Sequence, residues 1–418
     1  MDWAGAVAWA LPRPPRKGRI VDAASMIGRR IAHARKLRGL TQTGLAGRAH
    51  VSKSLIAQVE SGHKPATPSL IAAVSGALSV DITDLTGQPY RGDNARTDRI
   101  YAAIPQIRHA LVYWDIPPDL DVPPRPLATL TAETLEVTRL RMQAGYTELG
   151  ALLPALIKEL VVHAHEAPQP ERARVFRLLA DAYTAVDSMA YKLGYMDLFA
   201  LAVERMSWAA GQADDPLLRP VAAIRRSSAF LATGAWDGGT QLLERAGRDA
   251  SDGLPHDQAS LSVLGTVHLR TAIMEARAGH VSPAWASMSS AREVSDRIGH
   301  DTRDYGLLFG PANVAIHEVA VAVELGDADE AIRRGADLTL PADTPRERSS
   351  HHYIDLSRAW LWQRNTTKAL ACVTKAERLA PQRTRYHPMA RETVTGLLDI
   401  QRHVPEPLRS LAVRMNLS

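Results

Sequence analysis

The 418-residue sequence predicts an all-α chain in two parts, and three observations lead to that reading. Apolar residues recur at helical spacing along most of the chain, and the strict alternation of a half-buried strand persists nowhere. Glycines mark helix ends at a regular interval: Gly194, Gly234, Gly279 and Gly326 are 40, 45 and 47 residues apart, and Asn365 follows 39 later. The stretch from Ile27 to Leu85 divides into five short helical segments separated by cap and turn residues.

In chain order, residues 1–19 hold Trp3, Trp9 and the run Pro12 to Arg19, which cannot form a regular element and is expected to be a disordered, basic, proline-rich arm. It lacks the apolar core and cleavage site of a signal peptide. Residues 20–88 are expected to form a DNA-binding domain with its helix-turn-helix at Thr41 to Ser61. Thr41 can cap a helix whose apolar face is Leu45 and whose Ala46 is small enough for close packing. After the turn at His50-Val51, Ser52 supplies a second cap. Leu55, Ile56 and Val59 then keep helical spacing up to Gly62, a suitable C-terminal stop. Lys53, Ser54, Ala57 and Gln58 point away from that core, near the end of the helix that presents residues to base edges.

Residues 89–126 read as a linker: a polar hinge with Pro89 and Gly92, a short helix from Asp98 to Trp114, and a connector holding Pro117, Pro118, Pro123, Pro124 and Pro126. Residues 127–418 read as a helical-repeat body, each turn glycine supplying the left-handed residue that lets a helix reverse into its partner.

The run from Ile27 to Gly87 is similar to the Xre family of lambda-repressor-like helix-turn-helix domains, carried by Arg35, Arg38-Gly39, Thr41-Gln42, Leu45-Ala46, Val51-Ser52, Ile56, Glu60-Ser61-Gly62, Pro65 and the helix Leu70 to Leu78. The resemblance implies that Lys53, Ser54 and Gln58 read bases, with Ala57 limited to contact with a thymine methyl. It also implies that Gln42 anchors a phosphate and that Arg35 pairs with Glu60. Arg35, Thr41, Ser52, Ser61, His63 and Lys64 complete the expected phosphate contacts. Gly44 stands where the family favours a helix former, at a cost of about 1 kcal/mol.

The repeating helix pairs resemble degenerate tetratricopeptide-type repeats, which stack into a superhelix with a concave groove. Three further motifs, Ile104 to Arg108 with Asp115 to Pro118, Phe309 to Val314 with His317, and Arg385 to Pro388 with Ala390 to Glu392, resemble those of actinobacterial regulators that join an Xre-type domain to such a body. The architecture also looks like that of peptide-sensing quorum regulators. In the predicted helix Ala312 to Leu325, Asn313, His317 and Glu324 fall in one narrow sector of an otherwise apolar surface. Alignment on the turn residues, with Asn365 set against Gly326, extends this stripe to Thr266, Arg270 and Arg277, to Arg225 and Ser228, and to His352 and Gln363. Those residues define a predicted effector groove, suited to a peptide or a small anion.

Charge follows the same division. Between Arg13 and Lys64 the net charge is +10, Asp2 adds −1, and the rest of the chain sums to −4. A basic domain on a mildly acidic body is expected where one part meets double-stranded DNA. Cys372 is the one cysteine, so an intrachain disulfide is excluded and a reducing cytoplasm suits the chain. No membrane span is expected. Phosphate loop, nucleophile elbow and paired zinc cysteines are all missing, and His163 with His165 lack the spacing of a helical metal pair, so neither enzyme activity nor a cofactor or metal is expected. The reading is a cytoplasmic, nucleoid-associated transcriptional regulator that works as a homodimer held by its body; the alternative is a repeat scaffold acting mainly through a protein partner.

Overall fold

The computed structural model describes residues 26–90, 95–251, 257–401 and 403–417. The proline-rich arm lies outside the described residues. Five helices come first: α1 (Met26–Leu37), α2 (Gln42–Arg48), α3 (Lys53–Glu60), α4 (Pro68–Leu78) and α5 (Ile82–Thr86). Their starts follow local chemistry, since the side chains of Thr41, Ser52, Thr67 and Asp81 each accept from a backbone N–H in the first turn that follows. Ile31, Leu45, Ile56, Val59, Ile71 and Leu85 close the core between them.

The predicted linker helix is longer and differently placed than a spacer. It forms α6 (Ala95–Val112), and Ile100, Ile104, Ile107 and Leu111 are buried in the core of the body. The contact with the next helices is close enough that a Cβ on Gly150 would come within 2.6 Å of the Ala103 Cβ. The proline connector therefore follows a packed helix instead of joining the five-helix domain, named the reader for its expected role, to the body, and it is itself tied down. Arg125 donates to Glu159 and Glu133, and the His163 ring bonds the Arg125 carbonyl oxygen at 2.8 Å.

The body continues with α7 (Leu127–Met142), α8 (Tyr146–Glu166), α9 (Glu171–Leu193), α10 (Met196–Gln212), α11 (Leu218–Thr233), α12 (Trp236–Ser251), α13 (Gln258–Ala278) and α14 (Val281–Ile298). After a short 3-10 turn come α15 (Pro311–Glu324), α16 (Ala328–Gly335), α17 (Arg346–Trp362), α18 (Thr366–Leu379), α19 (Pro381–Arg385), α20 (Pro388–Ile400) and α21 (Glu406–Arg414). Among the described residues there is no strand, only an isolated bridge between Thr302 and Phe309. Helices α9 to α18 stack as antiparallel pairs, and Gly194, Gly234, Gly279 and Gly326 take φ of 84°, 75°, 84° and 80° at the turns. At the fifth turn Arg364 carries the positive φ, and Asn365 caps α18 by accepting from the Lys368 N–H. No helix among the described residues is long and apolar enough to cross a membrane.

The reader is seated on the body. Helix α4 packs against α11 and α13, and α1 against α20. The Gln88 amide donates to the Lys192 carbonyl at 3.2 Å and the Tyr386 carbonyl at 3.4 Å, just after α5. Gly194 makes room for it, since a Cβ there would lie 2.3 Å from the Gln88 Cβ. The Arg391 guanidinium covers the Tyr90 ring at 4.1 Å, and the apolar core of the reader runs on into Ile354, Leu361, Val394, Leu397 and Leu411 of the body.

Candidate DNA interface and effector cavity

Helix α3 exposes Lys53, Ser54 and Gln58 on one side and buries Ile56 and Val59 on the other. Ala57 is half-buried between them, and Gln58 donates to the Ser54 hydroxyl at 3.3 Å. His50 takes the positive φ, 52°, that turns α2 into α3. Thr41, Ser52, Ser61, His63 and Lys64 are exposed around the reading helix. His63 and Lys64 also border a cleft of about 210 Å³ whose far wall is Trp362, Arg364, Glu392 and Asp399, so the body bounds the reader on that side.

Arg35 does not belong to the exposed phosphate set. Its Nε and Nη2 meet the two Glu60 oxygens at 2.6 and 2.8 Å, its Nη1 donates to the Leu40 carbonyl, and the two side chains are 10% and 6% exposed. All three nitrogens are committed to partners inside the domain. Gln42 joins the same unit, donating to Glu60 at 2.9 Å. Burial pushes the Glu60 carboxyl up, but the bonds from Arg35 and Gln42 outweigh it and hold the group below its ordinary range.

A second site lies inside the body. The inner helices α9, α11, α13, α15 and α17, with Arg141 at the end of α7 and Arg383 in α19, line a cavity of about 220 Å³. The predicted groove residues Arg225, Ser228, Thr266, Arg270, Asn313 and His317 all face it, because successive repeats turn the same sector of their first helix inward. His352 does not. It points to the other side of α17, its ring 3.2 Å from the position a Gly335 Cβ would take, and the neighbouring His351 lines the cavity in its place. Gln363 is absent from the wall too, its amide donating to Asp329 at 2.6 Å.

The sequence reading missed much of the wall charge. Arg141, Asp187, Lys192, Glu347, Arg348, Asp355 and Arg383 join Arg225, Arg270, Arg277 and Glu324 there, seven cations and four carboxylates in all. Several lie on helices outside the aligned stripe, which repeat spacing alone does not reach. Glu347 is shared by Arg383 at 2.7 Å, Arg348 at 3.2 Å and Lys192 at 3.7 Å. Burial would raise its carboxyl, yet three cations hold it well below the ordinary range. Lys192 gets only a part of that one charge, so burial and then repulsion from Arg383 push its ammonium down to about 7. Burial moves His317 down to about 3, so it is a neutral ring whose Nδ1 bonds the Asn313 carbonyl at 2.8 Å. Asn313 donates to the Leu308 carbonyl at 2.7 Å, leaving its side-chain oxygen buried without a protein partner.

The fold and the exposed α3 face define a helix-turn-helix protein, and comparison agrees for that part of the chain. Residues 31–85 match the Helix-turn-helix family model. Over 62 residues, 15% of its length, this chain is 37% identical to the immunity repressor protein of Bacillus phage phi105, and the match spans 43% of that relative. Among solved structures, Bacillus thuringiensis PlcR in complex with the peptide PapR7 and DNA aligns over 84% of this chain and 99% of its own, at 15% identity and a TM-score of 0.30. The apo competence regulator ComR from Streptococcus vestibularis covers 95% of this chain and 100% of its own, at 11% identity and a TM-score of 0.19. Scores of this size do not define the arrangement or activity of this chain.

Two outcomes follow from these environments. Replacing Glu60 with Ala strands the Arg35 charge among buried groups and is expected to cost on the order of 3 kcal/mol. Thermal melting without DNA checks this; an unchanged midpoint would place the pair in solvent. Unfolded lysine titrates near 10.4, so between about pH 7 and 10.4 the unfolded chain binds more protons at Lys192 than the folded chain does. The penalty from Lys192 is then complete below about pH 7 and relieved as pH rises. Denaturant unfolding should show wild type gaining about 2 kcal/mol relative to Lys192→Met between pH 7 and 9. A constant difference would mean a solvated ammonium.

Proposed function

We propose that this chain is a cytoplasmic transcriptional regulator that acts by binding rather than catalysis. Its α3 reads a DNA operator, and occupancy of the body cavity controls the reader. The carrying observation is the exposed set Lys53, Ser54 and Gln58 at the start of a helix whose other side is locked into the domain core. That is the geometry by which a recognition helix presents side chains to the major groove. The match to the Helix-turn-helix family model, residues 31–85, covers this same region. One such helix spans only a few base pairs, so two copies related by a two-fold axis, paired through their tetratricopeptide-like bodies, would read two half-sites about one DNA turn apart.

Control runs through the seam between reader and body. Asp187, Ser188, Tyr191 and Lys192 line the cavity from α9, and the Lys192 carbonyl accepts from Gln88 at the base of the reader. The Arg385 to Glu392 motif lies there as well: His387 lines the cavity, Tyr386 accepts from Gln88, and Arg391 covers Tyr90. A ligand that prefers one packing of these residues shifts the placement of the reader by its differential affinity for the two placements.

Selection of the whole protein against random DNA tests the reader. Wild type should enrich a short two-fold-symmetric sequence. Gln58→Ala should change the preferred base at one position per half-site, a discrimination of about 1 to 3 kcal/mol, whereas Lys64→Ala should weaken all sequences alike. No enrichment, or a Gln58→Ala protein that binds more weakly with unchanged preference, would overturn the assignment.

A further inference from the structure

The positive charge of the cavity wall is unevenly compensated. Lys192, Arg348 and Arg383 share Glu347, and Arg277 pairs with Glu324 at 3.1 Å. Arg141, Arg225 and Arg270 make no ion pair and bond only neutral oxygens. Arg141 donates to the Gly306 carbonyl, Arg225 reaches the Ser188 hydroxyl at 3.5 Å with its Nε left without a partner, and Arg270 donates to Ser227 and Ser228. They come from three different helices, α7, α11 and α13, into one enclosed space. Burial first, and then the charge of Arg225, pushes Arg141 down to about 10. Arg270 is also pushed down to about 10 by burial, with Arg225 among the neighbouring cations that repel it. The lining carboxyl of Asp187 faces all three, and Asp181 behind the wall acts on Arg141 and Arg225. One of the Asp187 oxygens accepts from Ser188 and the other has no protein partner.

Three guanidiniums held out of bulk water against the carboxyls of Asp187 and Asp181 leave positive charge in excess and make no ion pair with either, which is costly, and an entering anion relieves that cost. We infer that the cavity is a binding site for a small phosphate ester, its phosphate held by Arg141, Arg225 and Arg270 and its organic part donating to the free oxygens of Asp187 and Asn313. This rests on the proposed regulatory reading and names the ligand class of its cavity. A carboxylate is satisfied by one guanidinium in a bidentate fork, whereas donors converging from three helices suit the tetrahedral oxygens of a phosphate. Size argues against a peptide of several residues, since 220 Å³ is below the roughly 300–1,000 Å³ of sites that enclose drug-sized ligands.

The test uses the full chain without DNA. Thermal unfolding and titration calorimetry are run with inorganic phosphate, glucose 6-phosphate, citrate and a mixed heptapeptide pool. Both phosphates should raise the melting midpoint in the millimolar range, glucose 6-phosphate at lower concentration, while citrate and peptides leave it unchanged. Arg225→Gln and Arg270→Gln should each weaken phosphate binding about tenfold or more. Because each removes a buried like charge, neither should melt below wild type in the absence of ligand, an outcome that a purely structural role would reverse. Lys64→Ala, on the reader, should keep the full response. No response to either phosphate, a response to citrate or peptides alone, or a phosphate response that persists in both arginine variants would overturn the inference. DNA selection runs without any added small phosphate ester, so a failure here stands apart from a failure of the reader.

Discussion

The arrangement of this protein depends on the contact between Gln88 and the end of α9. A glycine at position 194 does two things there at once: it takes the left-handed turn that ends the helix, and it leaves the space the Gln88 side chain fills. Any other residue would strain the turn and push the reader away. Because Gln88 also bonds the Tyr386 carbonyl, the base of the reader is held by the first inner helix of the stack and by the corner that closes it. Two distant parts of the helical stack thus meet at the base of the reader.

That meeting explains why the interior is charged. A body needed only as a dimerisation scaffold could fill its concave side with apolar residues at lower cost, since buried ion pairs are often no better than well-packed hydrophobic ones. Here Glu347 gathers cations from α9, α17 and α19, so α9 and the closing corner are linked across the cavity by a single carboxylate. The same two elements hold Gln88. The Phe309 to Val314 segment completes the wall. The Phe309 ring occupies space that only a glycine at position 265 leaves open, and Asn313 fixes the loop by donating to Leu308.

The reader was legible in the sequence because its information is local: caps at Thr41 and Ser52, a turn at His50, and apolar spacing through Val59 lie within two dozen residues. The inward stripe was legible for a related reason, since repeats carry one sector of a helix to the same side. It failed at His352, where the alignment step from Gly326 to Asn365 placed the stripe one residue out of phase, about 100° around a helix. Arg35 was ambiguous, because an arginine beside a reading helix looks the same in sequence whether it faces a phosphate or Glu60. The place of α6 was hidden by its flanking prolines and polar residues, which read as a spacer although Ile100, Ile104 and Ile107 form a core face. Arg141, Lys192 and Arg383 could not be grouped, because only the closure of the superhelix brings them together.

The central claim is that reader and body form one mechanical unit. Calorimetric unfolding of the full chain tests it most directly, since the core of the reader is continuous with the buried side chains of α17, α18, α20 and α21. The account predicts that the reader and these closing helices unfold in one cooperative transition, and that Gln88→Ala lowers that transition as a whole. A separate low-temperature transition confined to the reader, with the rest of the trace unchanged by Gln88→Ala, would contradict it.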